Sequence, residues 1–175
     1  MTGSALDRPQ TTIVHGLLQE LEQEAQTTRR VLERVPDNHL AWRPHEKART
    51  LGELALHVAT VPGNIAELAS RSPVQVMNTT DASPAKASEL IPAMEQSVAK
   101  AKRLLGGMDD ATATATWTLM RGDREILALP RAAFLRSVML NHWYHHRGQL
   151  STYLRALGQP VPSIYGPSAD ENPFA

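Results

Sequence analysis

The amino-acid sequence contains no cysteine. This absence excludes disulfide bridges, thiolate metal ligands and a cysteine nucleophile, so any metal ion would have to be held by histidine, aspartate or glutamate. The chain also lacks an excess of charge of either sign, because 18 lysines and arginines balance 18 aspartates and glutamates. A net charge of zero gives no electrostatic reason to expect nucleic acid or an anionic membrane as a partner.

Long hydrophobic runs are missing as well. No stretch approaches the ~20 apolar residues that a transmembrane helix needs, and residues 1–9 lack the apolar core of a signal peptide. We therefore expect a cytoplasmic protein. The length of 175 residues, with 42% hydrophobic and 21% charged residues, is typical of an ordinary soluble protein. A single domain over residues 1–175 is expected.

Four segments carry apolar residues at intervals of three, four and seven, which is the spacing of amphipathic helices. They cover approximately residues 11–35, 51–68, 84–105 and 130–157. The second segment is preceded by Thr50, with Glu53 three positions later, and this is the pattern of a capping box. Pro62 removes the hydrogen bond to the Val58 carbonyl in the same segment, so we expect a kink there.

Residues 115–129 do not follow the helical spacing. They combine Thr, Trp, Leu and Ile with a central Arg-Gly-Asp sequence, which favours a short hairpin or another extended excursion. The sequence therefore predicts an all-α fold, a four-helix bundle with this excursion before the last helix.

The last predicted helix contains His142 and His146, which are four residues apart. Residues at this spacing lie on one face of a helix, so both imidazoles can reach one metal ion. Helical histidines at this spacing are often partly buried polar residues instead. The pair continues the apolar stripe of the helix, however, and two buried imidazoles favour a common ligand. Gln149 lies on the same stripe and is a candidate to hold a metal-bound water or to orient an imidazole.

His57 is the candidate for a third ligand, because it lies in the middle of the second predicted helix beside its apolar stripe. A lone histidine in such a position is more often a hydrogen-bonded core residue than a metal ligand. The spacing alone does not show that the second and fourth helices are neighbours. Two other residues have different expected roles: His145 points about 100° away from His146, towards the surface or a dimer interface, and Arg147 is expected to form an ion pair.

The chain resembles the DinB-like superfamily of metal-dependent proteins, also called the DinB/YfiT-like fold, over nearly its whole length. Three segments carry the resemblance: Trp-Arg-Pro at 42–44 with Arg-Thr-Leu-Gly-Glu-Leu-Ala-Leu-His-Val-Ala at 49–59, Asn-His-Trp-Tyr-His-His-Arg-Gly-Gln-Leu at 141–150, and the tail at 161–171. The resemblance implies an up-down-down-up bundle, commonly a homodimer, with a divalent metal between its helices. His57, His142 and His146 occupy the three ligand positions of the family pattern.

Three histidines with an open fourth position are typical of a catalytic rather than a structural metal site. The open position accepts water for hydrolysis, or a thiolate. The superfamily includes bacillithiol S-transferases and mycothiol-dependent isomerases, so the resemblance implies a metal-dependent transferase acting with a low-molecular-weight thiol. A metal-dependent hydrolase of a small amide or ester and a non-catalytic, metal-stabilised binding or dimerisation module are the alternatives. The expected metal is zinc or nickel, and iron and manganese also accept histidine nitrogen.

Overall fold

Helices make up most of the chain in the computed structural model, which describes residues 13–77 and 82–175. In chain order the elements are α1 (Ile13–Leu32), α2 (Leu51–Ala69), β1 (Val74–Gln75), α3 (Leu90–Gly106), α4 (Asp110–Thr114), β2 (Thr116–Arg121), β3 (Arg124–Pro130), α5 (Arg131–Phe134), a π-helical segment (Leu135–Asn141) and α6 (His142–Ala156). Each of the first three predicted helices corresponds to one α-helix, and the fourth is composite. The predicted start of the first helix, at residue 11, lies outside the described residues.

A small sheet accompanies the helices. Strands β2 and β3 form an antiparallel hairpin in which Trp117 pairs with Leu129, and β1 joins β2 in parallel through Val74 and Leu119. The predicted hairpin before the last helix is confirmed, whereas the all-α class and a strict four-helix bundle are not. The strand β1 lies in a segment rich in Ser, Pro and Asn and has only two residues. It is too short to show the alternation of apolar and polar residues by which a strand is predicted.

Helix α2 is the most deeply buried of the long helices. Eleven of its nineteen residues are buried, and it packs against both α3 and α6. Small side chains on α2 allow these neighbours to approach closely; the buried ones are Gly52, Ala55, Ala59, Gly63, Ala66 and Ala69. The side chain of His57 therefore projects from a helix whose position is determined on several sides.

The predicted capping box fixes the N-terminus of α2. The Thr50 hydroxyl accepts a hydrogen bond from the Glu53 amide (3.2 Å), and the Glu53 carboxylate accepts one from the Thr50 amide (2.7 Å). Two backbone donors at the helix start are thereby satisfied. Pro62 lies inside α2 without ending it, so the helix continues from Leu51 to Ala69.

Helices α2 and α3 are in close contact at Gly63. Its amide donates a hydrogen bond to the Ser97 hydroxyl (2.8 Å), which in turn donates to the Thr60 carbonyl (3.0 Å). A Cβ atom at position 63 would lie 2.8 Å from the Ser97 carbonyl oxygen and 2.9 Å from its Cα. Because these are backbone atoms of a packed helix, they cannot move aside cheaply.

We expect Gly63→Ala to lower the free energy of unfolding by roughly 1–3 kcal/mol, because the new methyl group overpacks the contact between α2 and α3. Gly16→Ala is the matched control, since Gly16 lies within α1 and a Cβ there meets nothing within 4 Å. That variant should gain up to about 1 kcal/mol from helix propensity alone. Urea denaturation measures both values, and equal effects would contradict the packing argument.

The fourth predicted helix, expected from residue 130 to 157, is a composite of α5, the π-helical segment and α6. In the π-helical segment the chain makes hydrogen bonds five residues apart, and the His142 amide correspondingly bonds to the Ser137 carbonyl. Leu135, Met139 and Leu140 are fully buried as a result, whereas Val138 is only partly buried. The apolar stripe before His142 therefore differs from the one that a regular α-helix predicts.

No helix within the described residues combines the length and the apolar character that crossing a membrane requires.

Candidate metal centre

The three candidate histidines lie side by side between α2 and α6. The Nε2 atoms of His57 and His142 are 3.3 Å apart. The His146 ring centroid lies 4.5 Å from that of His57 and 4.4 Å from that of His142. One ring nitrogen of each residue lies within 4.8 Å of the other two. The structure thus brings together all three histidines that the sequence singled out, including the one on the second helix.

These separations suit a single metal ion. Two nitrogens held at ~2.05 Å from a tetrahedral zinc ion would be separated by about 3.3 Å, which is the distance between the Nε2 atoms of His57 and His142. The donor set, three imidazoles and no thiolate or carboxylate, suits zinc, nickel or another first-row divalent ion.

Gln149 orients the ring of His146. Its Oε1 atom lies 2.7 Å from His146 Nδ1. Because an amide oxygen only accepts, Nδ1 carries the proton and the neutral ring presents the lone pair of Nε2 to the cluster. Of the two roles considered for Gln149, this contact corresponds to orienting an imidazole.

The surroundings keep the imidazoles of His142 and His146 neutral. Burial lowers the pKa of His146 to about 4 and also lowers the pKa of His142. The positive charge of Arg49 acts in the same direction on both rings. Both imidazoles are therefore in their neutral, metal-binding form at pH 7.

Trp143 connects the two helices that carry the histidines. Its indole N–H donates a hydrogen bond to the Val58 carbonyl (2.7 Å), and the indole is fully buried. The Val58 carbonyl would accept from residue 62 in a regular helix, but Pro62 has no N–H. Since Val58 follows His57 and Trp143 follows His142, this bond fixes the two ligands relative to each other.

We expect Trp143→Phe to lower the free energy of unfolding by about 1–3 kcal/mol, because the buried Val58 carbonyl loses its donor. In a Pro62→Ala background the restored backbone N–H can donate to that carbonyl. The same Trp143→Phe substitution should then cost less, by about 1 kcal/mol. A double-mutant cycle by chemical denaturation measures the coupling, and strictly additive effects would show that the two residues do not share the carbonyl.

Arg147 anchors α6 to α1 on the other side of the histidine pair. It is 1% exposed, and its Nη1 lies 2.6 Å from Glu24 Oε2 and 3.1 Å from Thr28 Oγ1. The Tyr165 hydroxyl from the C-terminal tail donates to Glu24 (3.0 Å). The predicted ion pair of Arg147 is confirmed, and its partners come from α1 and the tail.

The exposed face of α2 borders a cleft of about 780 Å³. His57 and His142 line this cleft together with Arg49. Sequence reasoning overlooked Arg49, whose only signal was its place directly before the capping box. Its backbone carbonyl accepts a hydrogen bond from the Tyr153 hydroxyl (3.3 Å), which ties α6 to the start of α2. His145 is exposed, as expected, and its ring centroid lies 5.0 Å from that of His146.

The fold is mostly helical, and three histidines lie together between α2 and α6. Comparison with known sequences identifies the family of a protein with this architecture. The DinB family model matches residues 8–173, and the chain belongs to this family. It is 26% identical over 159 residues to the uncharacterized protein YrdA of Bacillus subtilis strain 168. The matched region covers 88% of this chain and 89% of YrdA.

Solved structures of DinB-like proteins share the fold. A DinB-like protein from Bacillus cereus ATCC 10987 is 25% identical, with a TM-score of 0.65 over 86% of this chain and 96% of its own. The DinB-like protein YjoA from Bacillus subtilis is 18% identical, with a TM-score of 0.64 over 85% of this chain and 96% of its own. At 18% identity the similarity to YjoA supports the fold alone.

Proposed function

We propose that His57, His142 and His146 bind one divalent metal ion, zinc or nickel, and that the protein is a metal-dependent transferase acting with a low-molecular-weight thiol. The observation that carries this proposal is the convergence of three imidazoles at the edge of a cleft. Three nitrogen ligands leave a coordination position for a small molecule. A bound divalent ion would supply positive charge that favours the deprotonated form of a thiol.

The protein's own residues account for binding and orientation. His57 and His142 line the cleft, so a small molecule in the cleft lies next to the proposed metal position. Gln149 keeps the Nε2 lone pair of His146 directed at the cluster. The positive charge of Arg49 favours an anionic sulfur in the same place. The volume of about 780 Å³ suits a small molecule rather than a macromolecule.

The lining of the cleft favours thiol transfer over the hydrolysis of an amide or ester. Hydrolysis needs a general base beside the metal. The carboxylate nearest to His57 along α2 is Glu53, which also lines the cleft, but its Oε2 is engaged by the Thr50 amide in the capping box. A cleft beside the histidines also favours a small-molecule substrate over a purely structural role for the metal.

Thiol binding is expected to be detectable with cobalt(II) in place of the native metal, since a sulfur ligand gives cobalt(II) an intense near-ultraviolet charge-transfer band. Thiols should also react faster with 1-chloro-2,4-dinitrobenzene in the presence of metal-loaded protein. In that reaction the sulfur bonds to the ring carbon, chloride leaves with the bonding electrons, and the thiol proton passes to solvent. If thiols at about 1–10 mM give neither the charge-transfer band nor a faster reaction, the transferase proposal fails. The homodimer implied by the family resemblance stays a prediction, which light scattering tests.

A further inference from the structure

The cleft beside the histidines has a polar end and a largely apolar length. His57, His142 and Arg49 lie at the end where α2 begins. Beyond His57, apolar Val61, Ile65 and Leu68 of α2 line the cleft together with polar Thr60 and Asn64, and Met77 adds a further apolar side chain. Leu68 is eleven residues beyond His57, which corresponds to about 16 Å along a helix. The shape and the lining therefore suit an elongated molecule with one polar end.

The charged residues of the cleft lie towards its two ends. Arg49 and Arg71 are its cationic residues, and Glu53 and Glu67 its acidic ones. At the far end Glu67 contacts both Arg71 (3.6 Å) and Lys100. Glu53 serves the capping box. Because the Glu53 carboxylate also lies at the Arg49 end, a dianion such as a phosphate monoester would be repelled there more strongly than a monoanion.

Arg49 is held where it can receive such an anion. It is partly buried directly before the N-cap of α2, and its backbone is fixed by the Tyr153 hydroxyl. It lines the same cleft as His57 and His142. A guanidinium offers two parallel N–H donors, which match the two oxygens of a carboxylate.

We propose that the cleft binds an elongated monocarboxylate, with its carboxylate paired to Arg49 beside the histidines and its apolar part along α2. The inference rests on the proposed function only in taking the same cleft as the substrate site. It narrows the substrate class to molecules with a carboxylate near the reacting end. The contact with Arg49 involves the protein's own side chain, so it can be measured without metal.

The test compares hexanoate with hexanamide, a neutral molecule of nearly the same shape, on metal-free protein by NMR titration. We expect the wild type to bind hexanoate at least about tenfold more tightly than hexanamide, the size of a charge-assisted hydrogen bond. Arg49→Met should remove this preference while leaving the weaker binding of hexanamide unchanged. Arg49→Lys should keep part of it, because the charge remains and the paired donors are lost.

Arg43→Met is the matched control, since Arg43 is a neighbouring exposed arginine that does not line the cleft. It should keep the full preference of the wild type. A wild type that binds both ligands equally, or a preference that survives Arg49→Met, would overturn the inference. The absence of metal or thiol binding would refute the proposed transferase but would leave this result unaffected, so the two failures are distinguishable.

Discussion

Replacing His142 with alanine is expected to reduce the metal content of the purified protein from about one ion per chain to nearly none. The ligand set falls from three imidazoles to two, and two monodentate ligands rarely hold zinc or nickel against competing water. His146→Ala should give the same result, because the rings of the two residues face the same point. Elemental analysis of protein reconstituted with zinc or nickel after chelation measures the metal content.

His145→Ala provides the control for this experiment. His145 lies between the two ligands in sequence, but it is exposed and does not belong to the cluster of ligand nitrogens. Its replacement should leave the metal content near one per chain. If wild-type protein takes up no metal after reconstitution, or if His145→Ala loses metal as completely as His142→Ala, the proposed metal centre is wrong.

The second large effect is expected at Arg147. Replacing it with methionine leaves the Glu24 carboxylate, which is 9% exposed, without its cationic partner. Removing one member of a buried ion pair costs roughly 3–5 kcal/mol, because the remaining charge stays desolvated. This is a large part of the total stability of a typical domain. Guanidinium denaturation should show a much lower midpoint, or the variant should fail to accumulate as folded protein.

Two variants separate this explanation from a general loss of charge. Lys102→Ala removes a cation that pairs with Glu22 between α3 and α1, but both side chains are about half exposed. An exposed pair contributes about 0–1 kcal/mol, so this variant should remain close to the wild type. Adding Glu24→Gln to Arg147→Met should recover part of the lost stability by removing the buried charge. If Glu24→Gln gives no recovery in this background, the loss lies in packing.

Local signals in the sequence predicted the elements that position the site. The capping box at Thr50 and Glu53 depends on residues three apart, and the shared face of His142 and His146 depends on residues four apart. Interactions of this range are determined by helix geometry, so a sequence pattern is enough to identify them. The position of His57 next to the pair required the family resemblance.

Contacts between distant residues could not be predicted in the same way. Pro62 indicates that the Val58 carbonyl lacks its helical hydrogen-bond donor. The donor that the carbonyl has instead, the Trp143 indole N–H, lies 85 positions away in the sequence. The partners of Arg147 on α1 are likewise more than 100 residues away. The place of Arg49 beside the histidines depends on how α6 packs against the start of α2, which no local pattern encodes.

The π-helical segment before His142 has a practical consequence for comparing this chain with its relatives. A π-helical turn holds one residue more than an α-helical turn, so a relative whose last helix is α-helical throughout would be one residue shorter between positions 135 and 141. An alignment without a gap there would keep the histidine pair in place and shift every earlier position by one. Exposed Arg136 would then be matched to a residue equivalent to buried Leu135, and apparent differences in the core would reflect the missing gap.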